Sequence, residues 1–349
     1  MNLHKFLTIV IPTYNREKQL QRLLKSIERQ NAIEKYYIVI LNNHSNYDVE
    51  GSVKNTFPND FINNIEIYNR PYNAGGDYNI SSAFLFAKTD YLWIIGDDDE
   101  VLDGCFDVIG NDIIKYPEIP YFKYHIENHS TYKEDVLISN IGQFKQLSKK
   151  KYFSAGDIIF LSNNIYNLKK VGDYISSSLY YSYCSIPHSL PMLRCLIDET
   201  PFLLSHQEII RYYAPEGDHW NFIKIVTSLS TVLDINYKGR YDVVRSFFYI
   251  ISQHFRIISF WEECLKISDR KYRHYICRKG MMTLFARKSF CRYFGYPLFL
   301  IESILGIKVL TLYNHIYNST DNYVKLKKQK LKESDSFVYH IYKKYLKNV

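Results

Sequence analysis

The chain has 349 residues, of which 46% are hydrophobic, and 44 Lys and Arg against 36 Asp and Glu give it a formal charge of +8. Such a length and apolar content can bury a large core and fit two domains, which excludes a disordered or small disulfide-stapled protein. Six cysteines, at 105, 184, 195, 264, 277 and 291, form no Cys-x-x-Cys pair and read as reduced thiols, and the first residues lack the pattern of a signal peptide.

In chain order, Phe6 to Ile11 is a β-prone run that ends in Pro12-Thr13-Tyr14-Asn15-Arg16. Glu17 to Gln30 follows with Leu20, Leu23, Leu24 and Ile27 at helical spacing. A second apolar run, Tyr36 to Leu41, leads into Asn42-Asn43-His44-Ser45-Asn46, and a third, Ile65 to Tyr68, into Asn69-Arg70-Pro71. Asn73-Ala74-Gly75-Gly76-Asp77-Tyr78-Asn79 then precedes an apolar helix from about Ile80 to Ala87. Its glycines permit positive φ or close approach of a ligand, and also suit an ordinary turn. Strands alternating with helices imply a parallel sheet wound in βαβ units, in which ligands collect at the carboxyl ends of the strands.

The strongest signal is Tyr91-Leu92-Trp93-Ile94-Ile95-Gly96-Asp97-Asp98-Asp99-Glu100, an apolar strand that ends in a block of carboxylates. Adjacent aspartates repel one another unless solvent, a helix N-terminus or a cation offsets them. If the chain stays extended, Asp97 and Asp99 point to one face and could hold one Mg²⁺ or Mn²⁺, with a nucleotide diphosphate supplying further oxygens. The competing reading is that the acidic run caps a helix spanning about Val101 to Ile109.

Thr8-Ile9-Val10-Ile11-Pro12-Thr13-Tyr14-Asn15-Arg16, Asn73-Ala74-Gly75-Gly76, Asn79 and Gly96-Asp97-Asp98-Asp99 together resemble family 2 glycosyltransferases of the GT-A fold. The Gly-Asp-Asp-Asp form and the Asn-x-Gly-x-x-x-Asn segment are most similar to the abequosyltransferase-like branch that builds bacterial O-antigen, lipooligosaccharide and capsule. The resemblance spans about residues 5 to 190. It implies an α/β fold with a wound mixed sheet flanked by helices, and an inverting sugar transfer from a nucleotide-sugar donor with Mg²⁺ or Mn²⁺. It would place Pro12, Thr13, Tyr14 and Arg16 around the nucleotide, with Asn42 and Asn43 at the base or ribose and Asn73, Gly76 and Asn79 nearby. Asp97 and Asp98 would also contact the nucleotide, and Asp97 and Asp99 would manage the metal. One departure is Asn42, where relatives carry an ionised Asp that only accepts hydrogen bonds. An Asx-rich turn is the plainer account of Asn42 to Asn46.

An inverting transfer needs a general base near the acceptor hydroxyl. The Glu-Asp pair that supplies it in the wider family does not stand where the resemblance implies it. His188, in Ser185-Ile186-Pro187-His188-Ser189, is the first candidate, with Asp173 as the carboxylate alternative. Packing under a helix would explain His188 as well. Asp157 and Asp173 each follow a glycine and suit helix caps or turns. Glu216, Asp218 and His219 lie on a Pro/Gly-punctuated stretch that reads as a loop over the donor or as a linker.

Composition divides near residue 219. Residues 220–349 hold 23 Lys and Arg against 9 Asp and Glu, so this region is basic and the preceding 219 residues are acidic. The reading is a catalytic domain over 1–219 and a basic helical region over 220–349. Val243 to Trp261 and Tyr296 to Tyr317 are apolar at helical spacing and Lys325 to Lys332 is strongly basic, but Glu302 and Lys308 interrupt the best membrane-spanning candidate. Docking on an anionic membrane surface fits, which would place the enzyme on the inner face of the cytoplasmic membrane beside a glycan or lipid-linked oligosaccharide acceptor. A helical cap on the catalytic domain or a homodimer contact is the alternative. Tyrosines are spread over the whole chain and no nucleic-acid-binding signature occurs, which argues against a nucleic-acid partner. A nucleotidyltransferase and a catalytically inert scaffold in a glycan-assembly complex are the competing functions.

Overall fold

The structure is a computed structural model that describes residues 5–128, 133–213, 222–235, 239–255, 260, 263–264 and 266–284. Glu216, Asp218, His219, the Tyr296 to Tyr317 segment and the Lys325 to Lys332 run therefore lie outside the described residues. Contacts group the chain into two compact units, one of Met1–Trp220 with Thr231–His254 and one of Asn221–Ser230 with Phe255–Val349.

The first unit is built on a mixed sheet of nine strands: β1 (Leu7–Thr13), β2 (Tyr36–Asn42), β3 (Ile65–Asn69), β4 (Tyr91–Ile94), β5 (Glu100–Val101), β6 (Tyr121–Ile126), β7 (Val136–Ile138), β8 (Asn164–Asn167) and β9 (Phe202–Arg211). Their order is β3-β2-β1-β4-β8-β6-β9-β5, with β7 paired to β9. The first four strands are parallel, with Leu7 opposite both Tyr36 and Tyr91. Beyond β4 the directions are mixed: β8 runs antiparallel to both β4 and β6, β6 pairs parallel with β9, and β9 antiparallel with β5. The chain winds outward from β1 to β3 and then returns to place β4 on the other side of β1. That reversal opens a crevice at the carboxyl ends of β1 and β4.

Burial explains these elements. β1 and β2 are almost wholly buried, as strands covered on both faces must be. The helix Glu17–Glu28 buries Leu20, Leu23, Leu24 and Ile27, the stripe read from its spacing. It also buries Ser26, whose hydroxyl accepts from the Val101 N–H at 3.0 Å and ties the helix to β5. Trp93, fully buried on β4, packs edge-on against Phe106 at 6.2 Å.

Two local readings change. The helix expected from Ile80 begins earlier, at Gly76–Ser82, and continues as a 3-10 turn over Ala83–Phe86; Gly75 precedes it at φ +87°, a conformation that favours glycine. The acidic run caps no helix. Glu100–Val101 pairs with β9, and the next helix, Cys105–Lys115, starts after Gly104 with no side-chain cap.

The helix Tyr241–Ile251 belongs to the same unit and buries Val243, Val244, Phe247, Phe248, Ile250 and Ile251, with Phe247 stacked on Phe144 at 6.1 Å. The apolar face of this segment of the basic region is thus covered by the first unit. In the second unit the helices Phe222–Leu229 and Arg270–Leu284 pack together. Among the described residues no helix is long and apolar enough to cross a membrane.

Candidate active site

The Asp97–Asp99 segment is a turn and not an extended strand end, because the Asp99 N–H donates to the Gly96 carbonyl at 3.2 Å. Asp97 and Asp99 are nevertheless both buried, at 3% and 2% exposure. They are held from opposite sides.

Asp97 is held across the β1/β4 crevice. The Thr13 hydroxyl at the end of β1 donates to its Oδ2 at 2.7 Å, and Arg16 Nη1 donates to its Oδ1 at 2.8 Å. Arg16 Nη1 also reaches Asp98 Oδ2 at 2.8 Å, so one guanidinium bridges two carboxylates. Burial raises the Asp97 pKa to about 6, against the opposing pull of Arg16. Arg22, one helical turn and a half further on, donates from Nη2 to the Asp98 carbonyl at 2.5 Å and lies 3.9 Å over the Tyr213 ring.

Asp99 is held from the other half of the sheet. Ser162, on the loop before β8, donates to Asp99 Oδ2 at 2.5 Å while its oxygen accepts from the Gly96 N–H at 2.8 Å. Burial, followed by the charge of Asp98, raises the Asp99 pKa to about 8, although Ser162 and the Tyr213 N–H act in the opposite direction. Asp99 Oδ1 is buried and meets no donor in hydrogen-bonding geometry among the described residues.

A divalent cation fits this donor set. A buried oxygen with no donor and two carboxylates whose ionisation burial opposes would both be relieved by a hard cation. Among the described residues no group of three or more His, Cys, Asp or Glu forms a cage, so phosphate and water oxygens would complete the shell.

The Asn-rich turns close the other side of the crevice. Asn43 donates from Nδ2 to Asn73 Oδ1 at 2.7 Å and accepts from the Ala74 N–H at 2.9 Å. Asn42 is 5% exposed and spends both ends of its amide internally, donating to Asn69 Oδ1 at 2.8 Å and accepting from the Ser45 N–H at 2.9 Å. The Asx-turn account therefore describes Asn42 better than base reading. Asn79 is equally occupied, donating to the Leu41 carbonyl and accepting from Arg70 Nε. Tyr14, at 43% exposure, and half-buried Pro12 remain open to a ligand.

Of the two residues read as the base, His188 is buried beneath the loop that carries Ser162 and Asp173 lies at the opposite end of the sheet. His188 is 4% exposed and donates through Nε2 to the Ile159 carbonyl at 2.8 Å, and burial lowers its pKa to about 4. Asp173 precedes the helix Tyr174–Tyr180 after the chain has left β8 at its far end, where Asn167 lies opposite Tyr91 and the Leu168 N–H meets the Asp90 carbonyl. That end of β4 is opposite the aspartates. Asp157 completes a capping box with Ser154, as its local sequence suggests. Ser162, Trp93 and Arg22 escaped the sequence reading, because their partners lie 63 to 76 residues away and no local pattern marks them.

Comparisons with known proteins agree with this geometry. Residues 8–161 match the family model described as glycosyl transferase family 2. The chain is 22% identical over 230 residues to abequosyltransferase RfbV of Salmonella typhimurium, covering 62% of this chain and 68% of that protein. It is 27% identical over 104 residues to the GalNAc(5)-diNAcBac-PP-undecaprenol beta-1,3-glucosyltransferase of Campylobacter jejuni, covering 30% of this chain and 33% of that protein. Its fold is similar to S. aureus TarS 1-349 in complex with UDP-GlcNAc, at a TM-score of 0.59 and 15% identity over 85% of this chain and 86% of that one. A second crystal structure of TarS 1-349 gives a TM-score of 0.52. The resemblance to family 2 glycosyltransferases, the GT-A fold and the expectation of a glycosyltransferase are thereby borne out.

Proposed function

We propose that the chain is an inverting, metal-dependent glycosyltransferase that moves a sugar from a nucleoside-diphosphate donor to a glycan acceptor in bacterial surface-polysaccharide synthesis. The observation that carries the reading is Asp99 Oδ1, a buried carboxylate oxygen that meets no donor in hydrogen-bonding geometry among the described residues, at the crevice where Thr13 and Arg16 already hold Asp97. Asp99 is the metal ligand in this reading, and Asp97 orders Arg16 and the end of β1. When bound, Mg²⁺ or Mn²⁺ would offset charge on the departing diphosphate. Arg16, a quarter exposed, adds a fixed positive charge at the same edge. Pro12 and Tyr14 line the nucleotide pocket, and the Asn43–Asn73 pair braces the Gly75–Gly76 loop that faces it.

A glycan acceptor is supported by the relatives, one of which is named for an undecaprenol-linked glycan. The basic balance of residues 220–349 supports a lipid-linked acceptor at an anionic surface. Isothermal titration with UDP, CDP, GDP and dTDP, with and without Mn²⁺, on wild type and Asp99→Ala, tests the reading. Metal-dependent binding of one nucleotide, lost in Asp99→Ala, is the expected result. Binding of none of them would leave the inert scaffold as the better account.

A further inference from the structure

The loop that carries Ser162 is held far more completely than a connection needs. Six consecutive carbonyls, Ile158 to Asn163, each accept a hydrogen bond. The Ile158 carbonyl accepts from Ser189 Oγ at 3.1 Å and from Lys123 Nζ at 3.3 Å, and the Ile159 carbonyl from His188 Nε2 at 2.8 Å. The Phe160 carbonyl accepts from Lys123 Nζ at 3.3 Å and Asn164 Nδ2 at 2.8 Å, and the Leu161 carbonyl from Asn164 Nδ2 at 2.6 Å. Trp93 Nε1 donates to the Ser162 carbonyl at 2.7 Å and the Tyr124 N–H to the Asn163 carbonyl at 2.9 Å. Lys123 Nζ further reaches Asn163 Oδ1 at 2.6 Å and Asn164 Oδ1 at 2.7 Å.

Lys123, His188, Ser189 and Ser162 are each at most 4% exposed, so their own side chains meet no substrate. Sealing an amine and an imidazole in a core is costly, and a hydrogen-bond network as dense as this one specifies one arrangement. This one converges on a single hydroxyl, that of Ser162, which grips Asp99 Oδ2 and the Gly96 N–H.

We propose that His188 and Lys123 are positioning residues for Asp99: they lock the Ile158–Asn163 carbonyls so that Ser162 fixes the carboxylate with Oδ1 available to a cation. The proposal rests on the glycosyltransferase reading above. His188 donates through Nε2, which leaves Nδ1 unprotonated in the neutral ring and, among the described residues, without a partner. Its task is donation to a carbonyl, and a glutamine amide can perform that task whereas it cannot accept a proton in catalysis.

The test is Mn²⁺ binding, read from the free-ion EPR signal, alone and with UDP, CDP, GDP or dTDP, alongside thermal melting and steady-state kinetics. Ser162→Ala and His188→Leu should bind Mn²⁺ with nucleotide about tenfold more weakly than wild type, as loss of an outer-shell partner does. His188→Gln should recover affinity to within about twofold and keep the wild-type pH profile of turnover, the mark of a conserved donor role. Two results overturn the proposal: wild-type affinity in both Ser162→Ala and His188→Leu, or a His188→Gln protein that binds normally but loses turnover, which would make His188 the base. If His188→Leu fails to melt cooperatively, Ser162→Ala alone decides the affinity question. Failure of the wild type to bind Mn²⁺ under any condition is a different outcome, which removes the metal-dependent reading of the site and this proposal with it.

Discussion

Asp97 and Asp99 stand two residues apart in one turn, yet opposite halves of the sheet hold them. Asp97 faces the parallel half, where Thr13 and Arg16 occupy both of its oxygens. Asp99 faces the mixed half, where Ser162 takes one oxygen and the other meets no donor in hydrogen-bonding geometry among the described residues. Identical side chains in one motif thus divide into an anchor that orders the crevice and a ligand left open to a cation. The division comes from the surroundings and not from the motif.

The largest test of that division is Asp99→Asn. Loss of the cation's charge stabilisation should lower kcat/KM about 10³-fold, whereas the isosteric Asp97→Asn, which keeps its neighbours in place, should lower it far less. Equal losses at both positions, measured by steady-state kinetics with saturating Mn²⁺, would erase the distinction.

Proton linkage offers a second test, in the half that holds Asp99. His188 has a folded pKa of about 4, below its ordinary value of 6.5 because of burial, so the folded protein binds fewer protons than the unfolded chain between those values. Its contribution to stability is complete above pH 6.5 and is lost as pH falls toward 4, by up to about 3 kcal/mol. Urea unfolding at pH 7 and pH 4.5 should show a smaller drop for His188→Gln than for wild type. An unchanged drop would mean that the ring is not sealed as the structure has it.

Stability separates the two aspartates in a third way. Asp97→Ala strands a buried Thr13 hydroxyl and part of the Arg16 guanidinium, which costs on the order of 2 kcal/mol. Asp99→Ala removes a carboxylate that burial already disfavours, so the metal-free protein should lose less or gain. Chemical denaturation without metal, at pH 9 where both groups are largely ionised, compares them directly.

The smallest effect belongs to Ser26→Ala, which removes the acceptor of the Val101 N–H and should cost about 1 kcal/mol without altering metal affinity. A change in Mn²⁺ binding there would show that the β5 tether also tunes the aspartates.

Much of the first half was legible because its signals are local. The stripe of Leu20, Leu23, Leu24 and Ile27, the apolar runs that became β1 to β4, and the polar residues at their carboxyl ends all lie within single elements. The weaker readings were those that asked one residue to find a distant partner. His188 reads from sequence as a titrating histidine, but the Ile159 carbonyl, 29 residues away, claims its Nε2. Asn42 reads as a base contact, but Asn69 and the Ser45 N–H use both ends of its amide. Asp173 reads as a carboxylate near the expected place, yet the direction of β8 carries it to the wrong edge of the sheet.

The sequence by itself determined the parallel winding, the crevice at the strand ends and the presence of a carboxylate block there, since hydrophobic periodicity and strand-end composition are written residue by residue. Only the tertiary structure decided which aspartate is satisfied and which is open. That choice depends on Thr13 and Arg16 arriving from one side and Ser162 from the other, across 63 to 84 residues of chain, and hydrogen bonds between groups so far apart exist only after the sheet has closed.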